Sequence, residues 1–218
     1  MYQRFSDRNA ELSKWSDSAR RWRMISRMTN VLRAMRTADG ANCVTDTAAL
    51  ESAVAHSNGT TPESFVEIMA TNNISHNHDD DDDEDDEKTL NPLSTAFKRL
   101  MNEPRGRRAF TKYLQSQYAD ENILFYSACE AAARQRSDFS FAVLAHEIYT
   151  TFIADDAPLE VNIDSAMKLE IEQQLKKKPL NKKVFKPAMR HIYLLMEKDA
   201  FGRFRKTPEY AAFQAAQK

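Results

Sequence analysis

The chain has 218 residues, a formal net charge of −1 and 42% hydrophobic residues, which allows one or two domains. Four glycines among many Ala, Leu, Met, Lys and Glu residues favour helices over a turn-rich β fold. The two cysteines, Cys43 and Cys129, are too few for a disulfide framework, and no apolar run approaches the roughly 18 residues of a transmembrane helix. No signal-peptide pattern is present, so we expect a soluble intracellular protein of a reducing compartment.

A basic amphipathic segment occupies the first predicted region, residues 1–37. Between Lys14 and Arg36 it holds seven basic residues and one acid, Asp17, and its apolar residues recur at helical spacing. Such a helix binds anionic lipid, at about 1 kcal/mol per basic residue near the surface. The sequence thus predicts an anionic membrane surface as a partner, bound through Trp15, Arg20, Arg21, Trp22, Arg23 and Arg27. Packing of this helix on the rest of the protein and binding to calmodulin are the alternatives.

Residues 38–88 form a predicted linker of low complexity. The segment is rich in Asn, Thr, Ser and Ala, so we expect it to be mostly disordered. Residues 79–87 are nine consecutive acids, which repel one another and cannot enter a core. We interpret this run as a solvated spacer. The alternative is that it folds back on the basic helix or on the C-terminal domain.

The rest of the chain contains helical patterns without strand-like alternation, which predicts an all-α domain over residues 89–214 and a tail at 215–218. The helix that follows Asp120 has a broad apolar face, made of Leu124, Phe125, Ala128, Cys129 and Ala132. The Asp120 carboxylate is predicted to cap its N-terminus, because it can accept hydrogen bonds from the free N–H groups there. Asp138 and Asp164 are the predicted caps of the next two helices.

Positive charge is concentrated in this domain. Residues 88–218 hold 22 basic and 15 acidic residues, a formal charge of +7, although the whole chain is near neutral. Six lysines surround a helix–helix connection that contains Pro179: Lys176, Lys177, Lys178, Lys182, Lys183 and Lys186. The cluster is open to two interpretations, a solvated loop or a surface for anionic lipid. Nucleic acid is not an expected partner, because no aromatic residues suited to base stacking accompany the lysines.

Three separated stretches lie at the ends of predicted helices. The first runs from Tyr118 to Asn122 and places polar groups at the N-terminal mouth of a rigid helix. The second, Glu160 to Asp164, precedes another helix, and the third, Leu195 to Phe204, closes the long one. In this order and at these separations they resemble the RGS domain, the family of regulators of G-protein signalling. The resemblance covers roughly Leu90 to Phe213, a little over half of the chain.

The resemblance implies an antiparallel four-helix bundle with a second subdomain formed by the two ends of the domain. It also implies a surface for a G-protein α subunit (Gα), built from the three stretches. The residues that match contact positions of the family are Tyr118, Glu121, Asn122, Asn162, Asp164, Leu195, Asp199 and Arg203. Asn162 is expected nearest the nucleotide site of Gα. Each residue also has an ordinary structural role: Asp164 as a helix cap, Leu195 as a core residue and Asp199–Arg203 as an i, i+4 pair.

By the same resemblance, the chain is expected to accelerate GTP hydrolysis by Gα subunits of the Gi/Go or Gq class without being an enzyme itself. A Gα subunit supplies its own arginine finger, so an activator needs only to hold the switch segments in their transition-state arrangement. We expect no cofactor, no metal site and a monomer. The alternatives are a scaffold that binds partners without stimulating hydrolysis, and a lipid-bound adaptor.

The sequence departs from the family's usual pattern at Ala200, where a serine is expected, and at Gly202. Loss of the hydroxyl removes a hydrogen bond and Gly202 loosens the helix, so we expect activity to survive with an altered preference among Gα subunits. Cys129 matches a position that is palmitoylated in some members, while its place on an apolar face favours a buried, inert thiol. The expected location is the cytoplasm, with peripheral association at the inner face of the plasma membrane.

Overall fold

The computed structural model describes residues 91–216. The basic segment with Trp15, Arg20, Arg21, Trp22, Arg23 and Arg27, and the linker with its acidic run, lie outside the described residues. Within 91–216 every regular element is a helix and no strand is present, which confirms the predicted all-α class. None of the helices in this part of the chain is long and apolar enough to cross a membrane.

Eight α-helices and two π-helical turns make up the described residues. The helices are α1 (Pro92–Asn102), α2 (Pro104–Ser116), α3 (Glu121–Ala133), α4 (Asp138–Ile148), α5 (Ser165–Leu175), α6 (Lys186–Leu195), α7 (Phe201–Phe204) and α8 (Pro208–Ala215). The first π-turn, Tyr149–Ile153, prolongs α4. The second π-turn, Met196–Ala200, joins α6 and α7 into one long helix.

Side-chain caps fix where several helices begin. The Asp164 carboxylate accepts from the Met167 N–H at 2.7 Å, as predicted for the start of α5. Asn91 caps α1 in the same way, through the Leu93 N–H at 3.1 Å. Each cap satisfies one of the backbone donors that a helix leaves without an internal partner.

The predictions for Asp120 and Asp138 as side-chain caps are wrong. Asp120 stands directly before α3, but its backbone is already helical (φ −91°, ψ −2°) and its carboxylate makes no capping hydrogen bond. A capping side chain needs an extended backbone that points it at the free N–H groups. Before α4 that backbone belongs to Ser137 (ψ 130°), whose hydroxyl accepts from the Ser140 N–H. Asp138 is instead the first helical residue, where the helix dipole favours its charge.

The path of the bundle α3–α6 follows from its short connections. Residues 134–137 join α3 to α4, and such a short connection makes the two helices antiparallel neighbours. Lys182, between α5 and α6, donates to the Gln135 carbonyl at 3.0 Å and lies 3.3 Å from the Asp138 carboxylate. Both connections therefore share one end of the bundle, here called the lysine end. The start of α3, the loop 154–164 and the end of α6 lie at the opposite end, here called the motif end.

The two ends of the domain come together in a second subdomain. Helices α1, α2, α7 and α8 enclose an aromatic cluster in which the Phe97 and Phe201 rings are 5.0 Å apart and the Phe110 and Phe204 rings 5.3 Å apart. Gly106 on α2 allows close packing there, because a Cβ atom would lie 2.8 Å from the Leu100 carbonyl oxygen and from the Phe213 ring. The arrangement agrees with the architecture that the resemblance implied.

An ion pair between a buried arginine and a half-buried glutamate ties the subdomain to the bundle. The Arg107 guanidinium on α2 lies 2.5 Å from the Glu130 carboxylate near the end of α3. Its Nε also donates to the Met101 carbonyl at 2.8 Å, so the buried charge has partners on two sides. The bundle core itself is centred on Phe125, whose ring is 5.7 Å from that of Phe152 and 6.4 Å from that of Phe185.

Candidate functional site

The turn between α2 and α3 presents Tyr118 to solvent. The Tyr118 N–H donates to the Gln115 carbonyl at 3.1 Å and the Ala119 N–H to the Leu114 carbonyl at 3.0 Å, the hydrogen bonds of a Schellman motif. That motif needs a left-handed residue at the place of Tyr118, whose φ is 54°. The side chain is 89% exposed. A strained backbone under an exposed aromatic ring is typical of a functional position.

Removing the strain at Tyr118 gives a stability prediction. The Tyr118→Gly variant should gain about 1 kcal/mol in unfolding free energy over Tyr118→Ala, because glycine adopts positive φ without a Cβ clash. Both variants lose the ring, so their difference in urea unfolding isolates the backbone term. Equal stability of the two variants would contradict the inference of strain.

Glu121 and Asn122 form the first turn of α3. Both side chains are half-buried, and the Asn122 amide donates to the Glu121 carboxylate at 3.4 Å. The Asn122 Oδ1 is buried and has no donor among the described residues. A buried acceptor without a donor costs free energy, so Asn122 is held in this position at the expense of stability. The α3 N-terminus thus offers a carboxylate and an amide side by side.

In the loop 154–164, buried and exposed side chains alternate, and Asn162 is one of the exposed ones. Leu159, Val161 and Ile163 are buried, while the side chains between them face solvent. The Val161 N–H donates to the Phe152 carbonyl at 2.9 Å, so the extended segment is held against the first π-turn. Asn162 is exposed between two core residues. Its backbone is therefore fixed although its side chain is free to meet a partner.

Lys168 on α5 braces the same loop from the side. Its ammonium pairs with the Glu160 carboxylate and lies 3.6 Å from that of Asp155. The hydrogen bond to Glu160, with the attraction of both acids, raises the pKa of Lys168 above its ordinary value. The Asp155 side chain is almost fully exposed, so the hydrogen bond to Glu160 is the contact that braces the loop.

The second π-turn carries the third segment. Leu195 is half-buried against the core, while Asp199 and Arg203 are exposed one helical turn apart and form an ion pair. A hydrogen bond to the Tyr113 hydroxyl, together with Asp199, raises the pKa of Arg203. Tyr113 lies on the last turns of α2, just before the turn with Tyr118. Arg203 thus lies beside the last turns of α2, which lead into the first segment.

The three segments lie at the motif end of the bundle, and together they make up the candidate surface. Each is presented by a rigid element: the α3 N-terminus, the braced loop and the second π-turn. π-turns within α-helices occur often at functional sites. The surface offers exposed aromatic, amide and charged groups on a fixed backbone. Such an arrangement can hold a partner's loops in one conformation.

Two residues of this surface were missed by the sequence analysis. The sequence assigned no role in this surface to Tyr113 or to Lys168. Their partners Arg203 and Glu160 lie in different elements, and nothing in the local pattern indicates such contacts.

No group of three or more His, Cys, Asp or Glu side chains within residues 91–216 has the arrangement of a metal site.

Cys129 lies inside α3 and not on the surface. It is 2% exposed, and burial raises the pKa of its thiol well above the ordinary value. The folded domain therefore holds the buried, inert thiol that the sequence favoured. Acylation of this cysteine in the folded domain is disfavoured, since the thiolate is the reactive form.

The buried thiol of Cys129 predicts that the free energy of unfolding depends on pH. The thiol of the unfolded chain ionises near pH 8.5, whereas the folded one stays protonated, so stability should fall as pH rises above about 8.5. Comparing the urea unfolding of the wild type with that of Cys129→Ala at pH 7 and pH 9.5 checks this, because the variant lacks the group. The same decline in both proteins would contradict it. In the native state at pH 8, a thiol reagent should leave Cys129 unmodified.

Comparisons with known proteins agree with this architecture. The family model for the regulator of G protein signaling domain matches residues 96–213. Regulator of G-protein signaling 19 from Bos taurus is 32% identical over 117 residues, covering 54% of this chain and 52% of that protein. Regulator of G-protein signaling rgs-1 from Caenorhabditis elegans is 35% identical over 109 residues, covering 50% and 53%. Regulator of G-protein signaling 18 from Mus musculus is 36% identical over 115 residues, covering 53% and 48%. The chain thus spans about half the length of these relatives.

Proposed function

The chain belongs to the family of regulators of G-protein signalling, and on this premise we propose that it is a GTPase-activating protein for heterotrimeric Gα subunits. The Gi/Go and Gq classes are the proposed substrates. The protein accelerates another protein's hydrolysis of GTP and so attenuates receptor signalling. It is a regulator and not itself an enzyme.

The observation that carries this proposal is the convergence of three distant segments at the motif end. Tyr118, Asn162 and Arg203 come from different parts of the sequence, and each side chain is exposed on a braced backbone. A surface of this kind suits a partner with several mobile loops, such as the switch segments of Gα. In this proposal Asn162 lies nearest the nucleotide, between Gα's catalytic glutamine and the adjoining loop.

The proposed mechanism requires no chemical group from this chain. A Gα subunit already carries its arginine finger in cis and hydrolyses GTP at about 10⁻² s⁻¹. What limits it is the alignment of the attacking water and of the glutamine that orients it. A rigid surface that binds the aligned switch segments more tightly than the relaxed ones lowers the barrier. An acceleration of about a hundredfold requires roughly 2.7 kcal/mol of preferential binding to the transition state.

The departures from the family pattern at Ala200 and Gly202 are compatible with this activity. We propose that they change which Gα subunits the protein prefers. Ala200 is nearly buried in the second π-turn, and no atom lies within 4 Å of where a Gly202 Cβ would stand. Both departures leave the side chains of Asp199 and Arg203 in place. In the proposed complex the lost hydroxyl at position 200 shifts the preference among Gα subunits and leaves acceleration intact.

Membrane association is the second part of the proposal. The basic segment between Lys14 and Arg36, with its two tryptophans, supports reversible binding to the anionic inner face of the plasma membrane. Gα is itself membrane-anchored, so confinement to one surface raises the local concentration of the activator. The proposed protein acts as a monomer, and calmodulin is a competing ligand for the same basic segment.

Single-turnover GTP hydrolysis by a panel of Gα subunits tests the proposed function. We expect acceleration with at least one subunit of the Gi/Go or Gq class. The matched measurement is binding to the same subunits in their GDP and transition-state forms. Binding without acceleration of any subunit would overturn the activator in favour of the scaffold.

A further inference from the structure

A buried carboxylate stands in the centre of the third segment. Glu197 lies in the second π-turn and is 7% exposed, although its neighbours Lys198 and Asp199 face solvent. Its carboxylate accepts a hydrogen bond from the Ser94 hydroxyl on α1, 103 positions away in the sequence. Burial, with the nearby Tyr126 and the Glu197 carboxylate, raises the pKa of Tyr193. The carboxylate is therefore enclosed between α1 and α6.

Helix α1 also holds both flanks of this π-turn. The Phe97 ring lies 4.8 Å from that of Tyr193, four residues before Glu197, and 5.0 Å from that of Phe201, four residues after it. Ser94 stands one turn before Phe97 on the same helix. Two ring contacts thus hold the helix before and after the turn, and one charge-assisted hydrogen bond holds the middle of the turn.

The candidate contact residues lie on the opposite face of the same long helix, within the π-turn and on either side of it. Leu195, Asp199 and Arg203 are presented by the backbone that α1 supports from behind. A π-turn spaces its residues differently from an α-turn, so the relative positions of these side chains depend on the turn keeping its geometry. The hydrogen bond from Ser94 is the polar contact that holds the turn at its centre.

We propose that Ser94 and Glu197 are positioning residues for the contact surface, because their hydrogen bond lets α1 hold the second π-turn in place. The inference rests on the proposed function and identifies what holds the contact residues of the same site in position. Without the Ser94 hydroxyl, the Glu197 carboxylate loses its donor on α1 while buried, and the turn relaxes to bring the charge to water. The contact side chains then leave the arrangement that a partner requires.

The activity test uses the full chain with Ser94→Ala, Glu197→Gln and the double variant. We expect Ser94→Ala to raise the half-saturating concentration in single-turnover hydrolysis about tenfold, with the maximal acceleration within about twofold of the wild type. Glu197→Gln keeps an acceptor for the hydroxyl and should stay within about threefold of the wild type. In the double variant no charge is stranded, so its loss should be smaller than that of Ser94→Ala alone.

Ser137→Ala is the matched control, since it removes a hydroxyl that caps α4 at the lysine end. It lowers stability without touching the motif end, and its half-saturating concentration should equal that of the wild type. Equal half-saturating concentrations for Ser94→Ala and the wild type would overturn the proposal. An equal rise for Ser94→Ala and Ser137→Ala would also overturn it, because the effect would then reflect stability alone.

Hydrogen exchange of the free protein decides the inference separately from the proposed function. Ser94→Ala should speed amide exchange across residues 196–203 about tenfold and leave α4 unchanged. Unchanged exchange in the second π-turn would refute the positioning role even if the wild type is a strong activator. Faster exchange there would sustain the role even if no Gα subunit responds to the wild type.

Discussion

We expect the Asn162→Ala variant to lose its acceleration of GTP hydrolysis while its unfolding free energy stays within about 0.5 kcal/mol of the wild type. Asn162 is exposed, and the buried Val161 and Ile163 on either side hold the loop in place without it. The substitution therefore removes a contact and leaves the fold intact. Single-turnover hydrolysis and thermal unfolding of the same preparation measure the two effects.

The double replacement of Glu121 and Asn122 by Ala should have the same effect on activity. Its cost in stability is somewhat larger, about 0.3–1 kcal/mol, because Glu121 lies where the dipole of α3 favours a negative charge. The matched control is Asn181→Ala, an exposed asparagine at the lysine end. Acceleration that persists in both motif-end variants would show that the contact residues were assigned wrongly.

State preference separates an activator from a scaffold. Binding should be strongest to Gα carrying GDP with a planar aluminium fluoride, which mimics the transferring phosphoryl group. The Asn162→Ala variant should lose most of that preference while retaining weak binding to the other forms. A wild type with equal affinity for the GDP and GTP-like forms would indicate the scaffold instead.

Helix positions were predictable because their signals are local. The apolar residues of α3 recur at helical spacing, and Leu124, Phe125 and Cys129 are buried as that spacing predicted. Asp164 is a cap because its backbone is extended, as a cap requires. The prediction that Asp120 caps α3 was wrong because a sequence indicates the residue type but not its ψ angle. Ser137, one position before the predicted Asp138, has the extended backbone that Asp138 lacks.

The supports of the candidate surface were not predictable from local patterns. Ser94 and Glu197 are 103 positions apart, and each lies within an ordinary helical pattern. Tyr113 and Arg203 meet only because α7 packs against α2. The resemblance supplied the contact residues, whereas the three-dimensional packing was needed to find what holds them.

The lysine end is a second candidate for the proposed contact with anionic lipid. Lys177, Lys178 and Lys183 are exposed there, on the end of the bundle opposite the motif end. The basic N-terminal segment and this cluster are therefore two separate sources of positive charge. Binding to anionic lipid must be assigned to one of them by experiment, and charge reversal at each source can do so.

Reversing Arg20, Arg21, Arg23 and Arg27 to Glu should release the protein from anionic vesicles. Each basic residue near the surface contributes about 1 kcal/mol, so loss of the four arginines alone lowers the partition coefficient about a thousandfold, and repulsion of the four added carboxylates lowers it further. Single-turnover acceleration in solution should be unchanged, whereas acceleration of membrane-anchored Gα should fall. Binding of the wild type should weaken as salt rises through physiological ionic strength. The matched control reverses Lys177, Lys178 and Lys183 to Glu and should co-sediment nearly as well as the wild type. Undiminished binding of the arginine variant, or equal binding of the wild type to neutral and anionic vesicles, would rule out an electrostatic anchor in the N-terminal segment.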